Sequence, residues 1–152
     1  REITEVLEYS DLIGLSVYPY GWFYETGKAD PIPEDLFDTA LVFDKAIAIT
    51  ESGAPSQDFK SFGKQYHFTE EYQQSWMEFL LKEAEKNQFE LVVNWTSLDF
   101  DKLLDVMPDK KTKDLATIWA YTGLESSDGC QKRALAVWDA YLELPHSPKG
   151  DK

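Results

Sequence analysis

Glu51 ends the run Lys45-Ala-Ile-Ala-Ile-Thr-Glu-Ser-Gly53. Four apolar residues with strand character lead into Thr50-Glu51, and Ser52-Gly53 turns the chain. The pattern predicts a buried strand that delivers a carboxylate to its C-terminal end. Two similar runs flank it. Asp11-Leu-Ile-Gly-Leu-Ser-Val-Tyr-Pro-Tyr20 ends in two tyrosines, and Glu90-Leu-Val-Val-Asn-Trp-Thr96 ends in a tryptophan. A carboxylate can act as nucleophile, acid or base. An aromatic ring offers an apolar platform. Together at strand ends they point to a site that handles sugars.

Around Glu51 the candidate contacts are Tyr18, Tyr20, Trp22, His67, Asn94 and Trp95. Tyr18 and Tyr20 flank Pro19, so along a regular strand they cannot both point inward. Tyr18 is expected to reach the site and Tyr20 to pack on its rim. Trp22, Phe23 and Tyr24 fit either sugar contact or loop packing. His67 sits in a loop, where contact with sugar hydroxyls competes with a plain surface role. Asn94 and Asp99 flank the end of the third strand and could bond sugar hydroxyls. Trp76, Trp119 and Trp138 fall on helical or buried-looking stretches and read as core.

The elements that position these residues alternate. A helix tail over residues 1–9 precedes a strand at 12–18. A helix at about 33–43, with Pro33 in its first turn, precedes the strand at 46–51. Residues 53–68 read as a long loop. Thr69 can cap a helix running to about Gln88, followed by a strand at 90–95. A short helix near 100–106, an irregular stretch at 115–124 and a last helix at about 131–143 complete the chain. Strands alternating with helices indicate a parallel sheet. Long loops after strand ends and tight helix-to-strand returns suit a parallel β/α barrel with its site at the strand C-termini.

Bulk properties narrow the function classes. With 152 residues the chain can hold one domain with a core. A net charge of −13 argues against nucleic acid as a partner, since phosphate binding needs clustered Lys and Arg. No run approaches a membrane span, so no membrane partner is expected. The single Cys130 and the pair His67 and His146 leave no ligand set for a metal, and no cofactor is expected. The chain opens on Arg1 rather than Met, which predicts an upstream segment.

The three strand phrases resemble the sixth, seventh and eighth strands of the clan A retaining glycoside hydrolases. The segment Tyr121-Thr-Gly-Leu124, then Asp128-Gly129, then Lys132-Arg-Ala-Leu-Ala-Val-Trp138, resembles their terminal loop and last helix. The first strand phrase is most similar to the endo-β-1,4-galactanase and cellulase-like branches. The resemblance implies an α/β chain that is the C-terminal part, about strands 6–8, of a (β/α)8 barrel. It assigns 1–145 to that partial domain and 146–152 to a flexible tail. It implies a carbohydrate substrate, Glu51 as nucleophile, Trp95 as floor of the sugar subsite and Tyr18 and Tyr20 as lining. By analogy with polysaccharide degradation it implies export. The chain departs from the pattern in one respect. The general acid/base of that clan, a Glu after an Asn at the end of strand four, has no counterpart here. Expectation therefore divides between two readings. One is a hydrolase completed by an N-terminal barrel half. The other is an inactive carbohydrate-binding or structural half-barrel that self-associates or takes a partner chain.

Overall fold

The computed structural model describes residues 3–19, 27 and 31–145. Tyr20, Trp22, Phe23, Tyr24 and the tail from His146 lie outside the described residues. The centre is a parallel sheet of β1 (Leu12–Val17), β2 (Ala46–Ser52) and β5 (Leu91–Asn94), in the order β1-β2-β5. The three strands coincide with the three apolar runs.

One face of this sheet is covered by helices. Ile13, Leu15 and Val17 of β1, Ile47 and Ile49 of β2 and Val92 of β5 pack into one cluster with Phe37 and Leu80. Leu80 belongs to α3 (Glu70–Asn87). That helix starts where expected, with Thr69 accepting the amide of Tyr72 at 3.2 Å, and stops at Gln88 in the left-handed conformation. Its buried stripe holds Trp76, Met77, Leu80, Leu81 and Ala84. Burying each large side chain contributes about 1.5–3 kcal/mol. Met77 and Leu81 continue into a second cluster with Leu124 and Ala134, which docks α5 (Arg133–Leu142) against α3. Trp76 is a core residue, as the sequence suggests, and Trp138 is half-buried and packs against the second cluster.

The other face carries Leu12, Gly14, Ser16 and Thr50 and is open. Leu12 is 40% exposed and Leu91 51% exposed. Within the described residues β1 and β5 each pair with β2 alone, so the sheet ends in two open parallel edges.

Four segments differ from expectation. The helix at 33–43 is reduced to α2 (Asp38–Leu41), because residues 33–38 close i to i+3 turns around the buried Phe37. α1 is the short piece Ile3–Leu7. The loop at 53–68 contains a hairpin, β3 (Phe59–Ser61) with β4 (Lys64–Tyr66). Phe62 (φ 48°) and Gly63 (φ 80°) form its turn, both left-handed as a tight hairpin requires. Phe59 stacks on Tyr66 and Phe68, which makes a small separate core. The stretch before 118 contains α4 (Lys110–Thr117), capped by Asp109 through the amide of Thr112 at 2.9 Å. Residues 101–106 form a 3₁₀ turn of helix near the expected position.

Candidate active site

Simple alternation along β2 would send Glu51 the wrong way. Ile47 and Ile49 face the helices, so residue 51 of a regular strand would face them too. A β-bulge at Thr50 prevents this. Ile49 pairs with Leu15, yet the next residue of β1, Ser16, pairs with Glu51. On the β5 side Ile49 pairs with Val92 and Ser52 with Asn94, again with one extra residue on β2. Thr50 and Glu51 therefore share the open face. A Cβ on Gly14 would lie 3.1 Å from the Thr50 methyl, and Ser16 Oγ donates to Glu51 Oε2 at 2.9 Å. Ser52 returns to the helix face, where Trp76 Nε1 donates to its Oγ at 3.0 Å. Bulges commonly re-aim a side chain beside a functional site.

Tyr18 reaches Glu51, as expected from its place at the end of β1. Burial pushes the phenol well above its ordinary pKa of 10.0, and the hydrogen bond to Glu51 and the charge of that carboxylate push it the same way. A protonated phenol is thus held against the carboxylate. Its ring meets Trp119 edge-on, with centroids 6.2 Å apart.

Glu51 opens into a depression of about 340 Å³ lined by Trp95, Phe100, Thr112, Leu115 and Trp119. Trp95 is 45% exposed. Its amide donates to Ser52 O at 2.6 Å, and the Trp95–Thr96 peptide is cis. Gly53 makes room for this junction, since a Cβ there would stand 2.6 Å from Trp95 O.

The residues after β5 are tied to the terminal loop. Leu124 and Glu125 donate their amides to Ser97 O at 2.9 and 3.0 Å, and Phe100 donates to Ala120 O at 3.1 Å. Gly123 permits the approach, because a Cβ would fall 2.3 Å from the amide of Asp99. Asn94 donates to Thr96 O at 2.8 Å and Thr122 O at 3.3 Å. Its NH₂ group thus orients the backbone that carries Trp95, and Asn94 does not line the cavity.

Asp99 is not at the cavity either. It is buried, accepts the Gly123 amide at 2.9 Å and pairs with Lys132 at 2.6 Å. Burial pushes the carboxyl up and the ammonium down, and the contact between them opposes both shifts. The pair fastens the terminal loop to the start of α5. His67 also stands away from Glu51. Its Nδ1 meets Asp58 at 2.9 Å on an exposed part of the hairpin region.

Trp119 is the site residue that sequence reading assigns to the core. It lies in the turn after α4, an element whose polar sequence conceals the helix, so nothing in the sequence places it beside Glu51. The available signal is the spacing of Leu115, Ile118 and Trp119, which puts the three on one face of a helical turn.

No family model matches the sequence, and no curated protein matches it either. Solved structures do. The β-glucuronidase of Faecalibacterium prausnitzii superposes with a TM-score of 0.60 at 20% identity, over 95% of this chain and 24% of that one. The Dictyoglomus thermophilum β-D-glucuronidase gives 0.55 at 21% identity, over 91% and 23%. The Bifidobacterium dentium β-glucuronidase, complexed with coumarin-3-O-glucuronide, gives 0.55 at 20% identity, over 90% and 21%. These are β-glucuronidases rather than the galactanase and cellulase-like enzymes that the first strand resembles. The chain spans about a quarter of the length of each. At such identities the likeness is one of fold: a parallel α/β chain with the architecture of part of a β/α barrel.

Proposed function

We propose that this chain is the nucleophile-bearing part of a retaining hydrolase of β-linked glycosides. The observation that carries the reading is the bulge at Thr50, which turns Glu51 out of the helix-side core and into a cavity beside Trp95 and Trp119. In this reading the Glu51 carboxylate attacks the anomeric carbon. A carboxylic acid from outside this chain gives its proton to the leaving oxygen as the glycosidic bond breaks. The glycosyl ester on Glu51 is then cleaved by water, whose proton returns to that second carboxylate. The two carboxyl groups of such a pair stand about 5–5.5 Å apart. Ser16 and Tyr18 hold the nucleophile in place. Trp95 supports the C–H face of a pyranose.

The partner in this reading is an N-terminal barrel half, either a segment of the same polypeptide or a second chain. Two open strand edges and the exposed Leu12 and Leu91 support it, since unpaired edges invite pairing. The 152-residue chain alone is then inactive. The test joins it to a polypeptide carrying the remaining strands and follows release of an aryl leaving group from aryl β-glycosides. Turnover by the pair alone, lowered at least about a thousandfold in Glu51→Gln, supports the reading. Turnover that survives Glu51→Gln overturns it. Sugar binding with no turnover in the joined protein favours the inactive binding module instead.

A further inference from the structure

The solved neighbours are glucuronidases by name, and a glucuronide brings a carboxylate into its site. Proteins bind such a group with Arg, Lys or a set of N–H donors, which replace its lost hydration. The cavity beside Glu51 is built differently. Phe100, Leu115, Ala116 and Trp119 join Trp95 to make its walls apolar, and Thr112 supplies the polar edge. Among the described residues no Lys or Arg lines it. Of the lysines beside Thr112 on α4, Lys110 meets Asp114 and Lys113 meets Asp105 at 3.5 Å, and the exposed Lys111 is not among the lining residues either.

A uronate carboxylate seated against these walls would lose water without gaining a cation. It would also stand in the same cavity as Glu51 and add a second negative charge there. Both effects disfavour it. An uncharged pyranose has neither difficulty, and its C–H faces and an apolar leaving group both gain contact with the walls. We infer that this cavity takes uncharged β-glycosides and rejects β-glucuronides, with the Trp119 and Leu115 wall as the specificity determinant. The inference rests on the hydrolase reading, because it assumes that the cavity beside Glu51 holds a glycoside.

Ligand-observed NMR titration of the chain joined to its barrel half with the slowly hydrolysed phenyl 1-thio-β-glucoside, 1-thio-β-galactoside and 1-thio-β-glucuronide tests it. The expected result is that one of the neutral glycosides binds at least about tenfold tighter than the glucuronide. Trp119→Phe should weaken the neutral ligand severalfold. Leu115 is 50% exposed, so Leu115→Arg leaves the fold intact and should narrow the gap by tightening the glucuronide. Glucuronide binding as tight as, or tighter than, that of both neutral glycosides overturns the inference and leaves the hydrolase reading standing. Binding of none of the three, or binding indifferent to both substitutions, removes the cavity as a glycoside site and overturns both.

Discussion

Trp76 donates its indole N–H to Ser52 Oγ at 3.0 Å, and both side chains are wholly buried. The bond lies one residue beyond Glu51. It holds Ser52 on the helix face and so keeps the bulge, with Glu51, on the other. Ser52→Ala removes the acceptor of this bond, and Trp76→Phe removes its donor. Each should cost about 1–3 kcal/mol in denaturant unfolding. The double substitution should cost less than the sum, since the two single changes remove the same bond. Strict additivity would show that the bond does not couple the two elements.

Gly53 is a second requirement of the same junction. A Cβ there meets backbone rather than a flexible side chain, with Trp95 O at 2.6 Å. Gly53→Ala should push the ends of β2 and β5 apart. The expected loss of stability is about 1–3 kcal/mol. Glycoside binding should fall further than stability alone explains, because Trp95 moves relative to Glu51. Unchanged binding and an unchanged unfolding midpoint would contradict the account.

Tyr18 gives a pH signature. Its folded pKa lies above the unfolded value, so its contribution to stability is complete below about pH 10 and is lost as pH rises beyond it. The unfolded phenol ionises there while the folded one keeps its proton. Tyr121 and Tyr141 are shifted upward too, chiefly by burial, and add to the same alkaline loss. Unfolding curves at pH 9 and pH 11 should therefore differ less in Tyr18→Phe than in the unaltered chain. Equal differences would mean that Tyr18 is not held protonated against Glu51.

The buried pair of Asp99 and Lys132 should be costly to break from one side. Lys132→Met leaves an unpaired carboxylate among buried groups and should lower stability at neutral pH by about 3–5 kcal/mol. A carboxyl whose folded pKa stands above its unfolded value costs stability as pH rises between the two. The deficit should therefore shrink as pH falls through the folded value and vanish below the unfolded value of 3.8, where the carboxyl is protonated in both states. A deficit independent of pH would assign the loss to packing instead.

The sheet was legible in the sequence because parallel strands covered by helices are written as short apolar runs, and all three runs are strands. Thr69 and the stripe behind it marked α3 equally clearly. The bulge was not legible. Ile47, Ile49 and Glu51 alternate as a regular strand would, and the extra residue appears only when β2 is paired with β1 and β5. The hairpin was hidden by a Phe in its left-handed turn position, where Asn or Asp is the usual signal. α4 was hidden by a run of charged and hydroxyl residues, and with it the place of Trp119. Asn94, Asp99 and His67 had suitable types near a site, but their partners come from distant segments or from the hairpin, which sequence spacing does not reveal.

The most direct test separates Glu51 from the missing acid. A dinitrophenyl 2-deoxy-2-fluoro-β-glycoside has a leaving group that departs without protonation, and its fluorine slows hydrolysis of the glycosyl ester. The chain joined to its barrel half should gain the mass of one fluorosugar, and peptide mapping should place it on Glu51, with none in Glu51→Gln. A label on another carboxylate, or release of dinitrophenolate that continues in Glu51→Gln, would contradict the assignment of Glu51 as the nucleophile.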